Sequence, residues 1–342
     1  MLVITPLQPC GATQFSEPFE WKERELRNGR VRIVVTCTDG KTRPALAPLR
    51  LRDHKVGDDR VDRWVDALRS TPSPTLPALE LYKGEHWSVV RTLPARSAET
   101  GWEVDLWVAS AGYGLIPVAA PIKPYAATFA NGQPDSVSVV VPRRSTSEMS
   151  RRWWSDLARW PGPAMAPRSI RDLAKAEPDA PLVFVGSASY LKAVATDLQL
   201  AADELGTAGS LLVVSGGADS RVVQDHRLPV DSRLLHALGG SRISLNVRVA
   251  ARLVATAADH RFDLGACRKR LTDLLVLQPA AAVYHRLPLT DDQVRSFIED
   301  ELEQQPGQSA TALLRRLRDS ERACEQKRFG ALYRDVVERI TA

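Results

Sequence analysis

Long apolar runs are missing from this chain: no stretch of some eighteen apolar residues occurs, so no membrane-spanning helix and no membrane partner are expected. Residues Met1 to Cys10 lack a basic segment followed by an apolar core, so no secretory signal is expected. Cysteine is scarce, four in 342 residues, and Cys10, Cys37, Cys267 and Cys324 are scattered without metal-type pairing. They read as reduced thiols, which points to a cytoplasmic protein. The six histidines, at 54, 86, 226, 236, 260 and 285, have no ligand spacing, and none is tied to a serine motif. No metal site and no serine triad are therefore expected. Both standard glycine-rich phosphate fingerprints are absent, and no cofactor is expected. Tryptophan is missing from the second half, since all eight (at 21, 64, 87, 102, 107, 153, 154 and 160) precede residue 161.

What is there is ordinary in bulk and uneven in detail. A hydrophobic content of 44% and a charged content of 25% are those of a globular protein. The length suits one large domain or two with a small appendage. The net charge of +5 permits a nucleic-acid partner. The basic excess is local: Arg315, Arg316, Arg318, Arg322, Lys327, Arg328, Arg334 and Arg339 crowd the last thirty residues. Arginine's planar fork suits phosphate. Asp319, Glu321, Glu325, Asp335 and Glu338 are interleaved, so a solvated helix face accounts for the same residues.

The tryptophan asymmetry and the break Pro161-Gly-Pro-Ala-Met-Ala-Pro167 divide the chain into an N-terminal α/β part (1–160) and a second α/β part (168–285), followed by a basic helical tail (290–342). The first part reads as strand 31–37, helices 58–69 and 76–93, strands 104–109 and 136–141, and helix 147–160. The basic loop from Lys41 to Gly57 reads as a lid or a partner surface. The second part opens with a βαβ unit: strand 181–186, a helix whose apolar face includes Leu191, Val194 and Leu198, closed by Gly206 as its C-cap, and strand 210–215. Helices 241–258 and 264–277 follow. In the tail, Thr290 and Gln293 form a capping box for a helix ending before Pro306-Gly307. A short helix (310–318) comes next, then a longer one with Phe329, Leu332, Val336 and Ile340 on one face. This is the outline of a helix-turn-helix or winged helix, or of generic helical packing. The fold class expected is α/β: a central mixed sheet flanked by helices, with a small C-terminal helical appendage.

Four strands end in polar or glycine-rich turns: Cys37 to Lys41, Ser110 to Gly114, Gly186 to Tyr190 and Ser215 to Asp219. In a largely parallel sheet such ends share one rim, where ligands bind. Cys37 is a nucleophile whose thiolate Lys41 would favour, or an inert packed thiol; Lys41 serves equally as an amine nucleophile or an anion clamp. Gly186 and Ser187 open a helix whose backbone N–H groups suit an anion. Asp39, Tyr82, Ser110, Tyr113, Gly114, Lys123, Tyr125, Tyr190 and Asp219 complete the expected pocket. Arg315, Arg316, Arg322, Lys327 and Arg328 are the expected nucleic-acid contacts.

Three segments, Val34-Val-Thr-Cys-Thr-Asp-Gly-Lys41, Pro77-Ala-Leu-Glu-Leu-Tyr-Lys-Gly-Glu-His-Trp87, and Trp107 to Pro117 with Ile122-Lys-Pro-Tyr125, resemble in order and spacing the signatures of the YaaA family. That family comprises peroxide-stress proteins that bind DNA. The likeness covers roughly residues 30 to 220, and the region from 290 onward looks like an addition. The Cys37–Lys41 turn also resembles a motif of archaeosine synthase, whose related core domain acts on a 7-cyano-7-deazaguanine base; there a lysine adds to the nitrile. The synthase follows its lysine with Pro-Tyr, and this chain with Thr42-Arg43-Pro44. The resemblance implies a DNA-directed enzyme that converts the 7-cyano group of a deazaguanine base to a carboxamide. Other proteins of a modification or defence system are its implied partners. A non-catalytic DNA-binding stress or defence protein and a small-nucleotide hydrolase are the alternatives.

Overall fold

The computed structural model describes residues 29–138, 145–164, 166–206, 210–217, 223–280 and 286–341; Asp219 lies outside them. The chain forms two compact units, Met1–Pro279 and Ala280–Ala342.

Five strands make the central sheet of the first unit: β1 (Gly29–Thr36), β2 (Trp102–Ser110), β3 (Gly114–Pro117), β4 (Leu182–Val185) and β5 (Leu211–Val214). Their order is β3-β2-β1-β4-β5. β1 is buried from Val31 to Thr36, as a strand covered on both faces must be. It pairs in parallel with β2, Val34 opposite Trp107, and with β4, Val34 opposite Phe184. The sheet therefore runs through the break at 161–167. β4 and β5 are parallel around the expected helical crossover, and β3 alone runs antiparallel, against β2. Helices α1 (Arg60–Ser70), α2 (Glu85–Val90), α3 (Thr146–Ala158), α4 (Ala188–Glu204) and α5 (Leu245–Ala255) are among those flanking the sheet.

Inside β1 sits a buried arginine, 1% exposed. The Arg32 guanidinium donates to the carbonyls of Leu173 and Ala180, the first of them in the helix Ile170–Ala176. A cation at these carbonyls is favoured by the helix dipole.

Several expectations are corrected. The single helix over 76–93 is instead a short strand, Leu76–Pro77, followed by the helices Ala78–Leu81 and α2. Gly84, at φ +100°, separates them, a conformation in which a side chain is strained. The hairpin return β3 was missed because Gly114 to Pro117 is too short to show alternation. Of the strand expected over 136–141, Ser136 forms an isolated bridge to Thr128, and 139–141 lie outside the described residues. Helix α4 ends with Leu205 in extended conformation, and Gly206 donates its N–H to Pro178, so it is no left-handed cap. The loop 41–57 is pinned rather than free. Leu49 and Leu51 are fully buried, and Leu51 N–H and Ala126 N–H close a backbone ladder between the segments.

The described residues of the second unit form three helices, α6 (Asp291–Gln304), α7 (Ala310–Asp319) and α8 (Gln326–Thr341). The Thr290–Gln293 capping box is present with both of its hydrogen bonds. Val294, Ile298, Leu313, Leu317, Phe329 and Val336 form a separate small core. Ile340, expected on that face, is 60% exposed. Leu287–Pro288 pairs in parallel with Arg322–Ala323. Among the described residues no helix is long and apolar enough to cross a membrane.

Candidate active site

Parallel pairing places the ends of β1, β2, β4 and β5 on one rim. Against three of them lies a cavity of about 630 Å³, a size usual for small-molecule sites. Thr36, Cys37 and Thr38 line it at and just after the end of β1, Gly186 and Ser187 from the β4–α4 turn, Tyr190 from the first turn of α4, and Gly216 and Gly217 from beyond the end of β5. His86 comes from α2, and Asn246 from the first turn of α5. Asn246 fastens two strand ends together: its Oδ1 accepts from Gly216 N–H at 3.0 Å and its Nδ2 donates to Gly186 O at 2.7 Å.

Cys37 is the sulfur of this wall. Its Sγ lies 3.0 Å from the Tyr190 hydroxyl and accepts from Ala111 N–H at 3.5 Å. Burial, and then the neighbouring thiol, push the Tyr190 phenol well above its ordinary range, so it stays protonated and able to donate. His86 is 6% exposed. Burial pushes its imidazole down to about 4, opposed by a hydrogen bond to the Thr36 backbone, and its Nε2 has no hydrogen-bond partner among the described residues. It is a neutral ring beside the thiol-bearing strand end.

Most of the other expected pocket residues are brought together, but behind Cys37 and not on the cavity wall. The Tyr125 hydroxyl lies 2.9 Å from that of Tyr82 and 2.7 Å from Ser110 Oγ, which accepts from the N–H groups of Gly112 and Tyr113. Burial raises the Tyr82 and Tyr125 phenols well above their usual range. Lys41 closes this cluster. Its ammonium donates to Thr38 O at 3.0 Å, lies 4.3 Å from the Tyr125 ring centre, and is held below its ordinary value by burial. Tyr113 accepts from Lys123 N–H, while Lys123 Nζ donates to Leu68 and Thr71 carbonyls at the end of α1. Gly114, at φ +71°, begins β3. Asp39 is exposed on the turn.

In the second unit, Arg316 pairs with Glu301 and Arg328 with Asp291. Both pairs are partly exposed, where such contacts contribute little. Arg315 lines a cleft of about 320 Å³ with Arg286, Arg318 and Gln326, and Arg322 is exposed. The Lys327 side chain lies outside the described residues.

Sequence reasoning missed His86, Asn246, Arg242 and Ile243. Asn246 left one signal, a polar residue in the first turn of a helix whose other residues, Arg248 and Arg252 apart, are apolar. His86 left none, because its neighbours in space come from β1. No family model, no curated protein and no solved structure matches this chain.

Proposed function

We propose that the protein is a nucleic-acid-directed enzyme that hydrates the nitrile of a 7-cyano-7-deazaguanine base to the carboxamide, with Cys37 as nucleophile. The observation carrying this reading is the position of Cys37: a thiol on the wall of a base-sized cavity, at a strand's C-terminal end, in contact with a phenol that stays protonated. The resemblance of three segments to the YaaA and archaeosine-synthase signatures supplies the substrate class.

The thiol sulfur adds to the nitrile carbon, forming a C–S bond while its proton passes by way of the Tyr190 hydroxyl to the nitrile nitrogen, giving a thioimidate. Negative charge develops on that nitrogen, and a donor must meet it. Tyr190 takes this role, since Ser110 and Tyr113 lie off the cavity wall. Water then adds to the thioimidate carbon, the C–S bond breaks, the thiol recovers its proton, and the carboxamide leaves. The net change is one added water. Lys41 acts here as a positioning residue, because its ammonium ties the 37–41 turn to the tyrosine cluster. The arginines of the second unit would hold the nucleic-acid backbone.

Mass spectrometry of nucleosides from 7-cyano-7-deazaguanine DNA incubated with the protein tests this. The expected result is a gain of one water with wild type and none with Cys37→Ser. A gain with both proteins removes Cys37 from the mechanism. No gain with either turns the reading to non-catalytic DNA binding.

A further inference from the structure

Between Leu238 and α5, the segment Gly239-Gly240-Ser241-Arg242-Ile243-Ser244 crosses the cavity's edge. Both glycines take left-handed backbone, φ +66° and +78°, which lets the chain double back. The segment is anchored rather than loose. Glu85, the first residue of α2, accepts from Ser241 N–H at 3.0 Å, from Ser241 Oγ, and from Ser244 Oγ at 2.8 Å. Arg248 of α5 completes the clamp with an ion pair to Glu85 at 3.0 Å. These bonds hold the Glu85 carboxyl down at about 2, the Ser241 hydroxyl contributing most. Between the anchors stand Arg242 and Ile243, both on the cavity wall and both exposed. Ile243 is 80% exposed, more than any other large apolar side chain described.

A rigidly held, exposed isoleucine next to an arginine, at the mouth of a base-sized cavity, has the chemistry of a nucleic-acid wedge. Proteins that unstack bases insert apolar side chains between steps, and enzymes that act on a base must draw it out of the stack. We infer that Ile243 is a wedge that fills the space left by a base drawn into the cavity, while Arg242 holds the adjoining phosphate. The occupant is a nucleic-acid strand, since Arg242 stands beside the wedge with no ion pair to a described residue, while the carboxylate on the same wall, Asp231, is paired with Arg233. This rests on the reading of the site as one that receives a base, but it does not need the Cys37 chemistry.

The test uses the full chain and a duplex oligonucleotide carrying 2-aminopurine beside the 7-cyano-7-deazaguanine, whose fluorescence rises when the stack opens. Wild type and Cys37→Ser should both raise the signal. Ile243→Ala should bind about tenfold more weakly and lose most of the rise, as expected when an unstacking contact is removed. Arg242→Ala should lower the slope of log affinity against log salt by about one phosphate contact. Thermal melts should match wild type, because both side chains are solvent-exposed. No rise with wild type, or an equal rise with Ile243→Ala, overturns the wedge. So does an Ile243→Ala variant that changes only self-association in sedimentation, which would assign the patch to a second copy of the chain. Hydration of the base without a wedge effect sinks this inference and keeps the chemistry. A wedge effect without hydration does the reverse.

Discussion

The two sides of Cys37 are built differently. On one side Tyr82, Tyr125, Ser110 and Lys41 close on one another through short hydroxyl contacts and a cation over a ring, with the tyrosines 1% exposed or less. On the other side His86, Ser187, Tyr190 and Asn246 border open space, and His86 keeps a nitrogen without a partner among the described residues. Both sides draw on the segments 34–41 and 77–87, and the open side adds residues of α4 and α5. The face that meets a ligand is drawn from segments as distant as α2 and α5. Buried polar networks of the first kind rigidify when fully satisfied, and a buried polar atom left single carries a desolvation cost that a ligand can relieve.

Acid should reveal that cost with the largest effect. The His86 imidazole titrates at about 4 in the folded protein against about 6.5 when unfolded. Between these values the unfolded chain binds a proton that the folded protein refuses. Stability is therefore unaffected by this group above pH 6.5 and falls as pH drops toward 4. By pH 4.5 the loss is about 2 to 3 kcal/mol. Urea unfolding of wild type and His86→Gln at pH 7 and pH 4.5 measures it, the variant losing less by that amount. Equal losses would mean that the open side holds no buried neutral imidazole.

The fold was largely legible because it rests on local patterns. Apolar runs at 31–36, 182–185 and 211–214, a helical face at 191–198 and a capping box at 290–293 each announce their element without help from the rest of the chain. What failed depended on tertiary structure or on one backbone angle: Gly84 interrupting a helix, β3 made only by pairing with β2, and the 41–57 loop fastened by residues near 126. The site was half legible for the same reason. Polar turns after strands marked the rim and Cys37. Nothing in the order of residues says that His86 would arrive there, and Asn246 shows only as a polar residue at the start of a largely apolar helix.

Tyr125→Phe probes the closed side with a smaller effect. It removes one hydroxyl that serves both Ser110 and Tyr82, leaving the fully buried Tyr82 phenol its contact with Ser110 alone, at a cost of about 1 to 2 kcal/mol. The ring under Lys41 remains. Denaturant midpoints should fall accordingly while affinity for a 7-cyano-7-deazaguanine oligonucleotide stays within twofold. A large loss of affinity at unchanged stability would join the two sides into one site and erase the distinction.

Asn246→Ala should show the opposite pattern, with the smallest effect on stability. The amide bridges the ends of β4 and β5 through Gly216 N–H and Gly186 O, but it does so beside open space, where water can replace both contacts. Removal should therefore cost only about 1 kcal/mol. Its effect on the cavity should be greater, because two glycine-bearing turns lose their common tie and the spacing between them relaxes. Affinity for the same oligonucleotide should fall severalfold with little change in melting temperature. Asn246→Asp separates geometry from mere occupancy: it keeps the acceptor for Gly216 but turns a carboxylate oxygen toward the Gly186 carbonyl. It should bind no better than Asn246→Ala. If Asn246→Asp restores wild-type affinity, the bond to Gly216 alone shapes the rim, and Gly186 is free to meet the ligand.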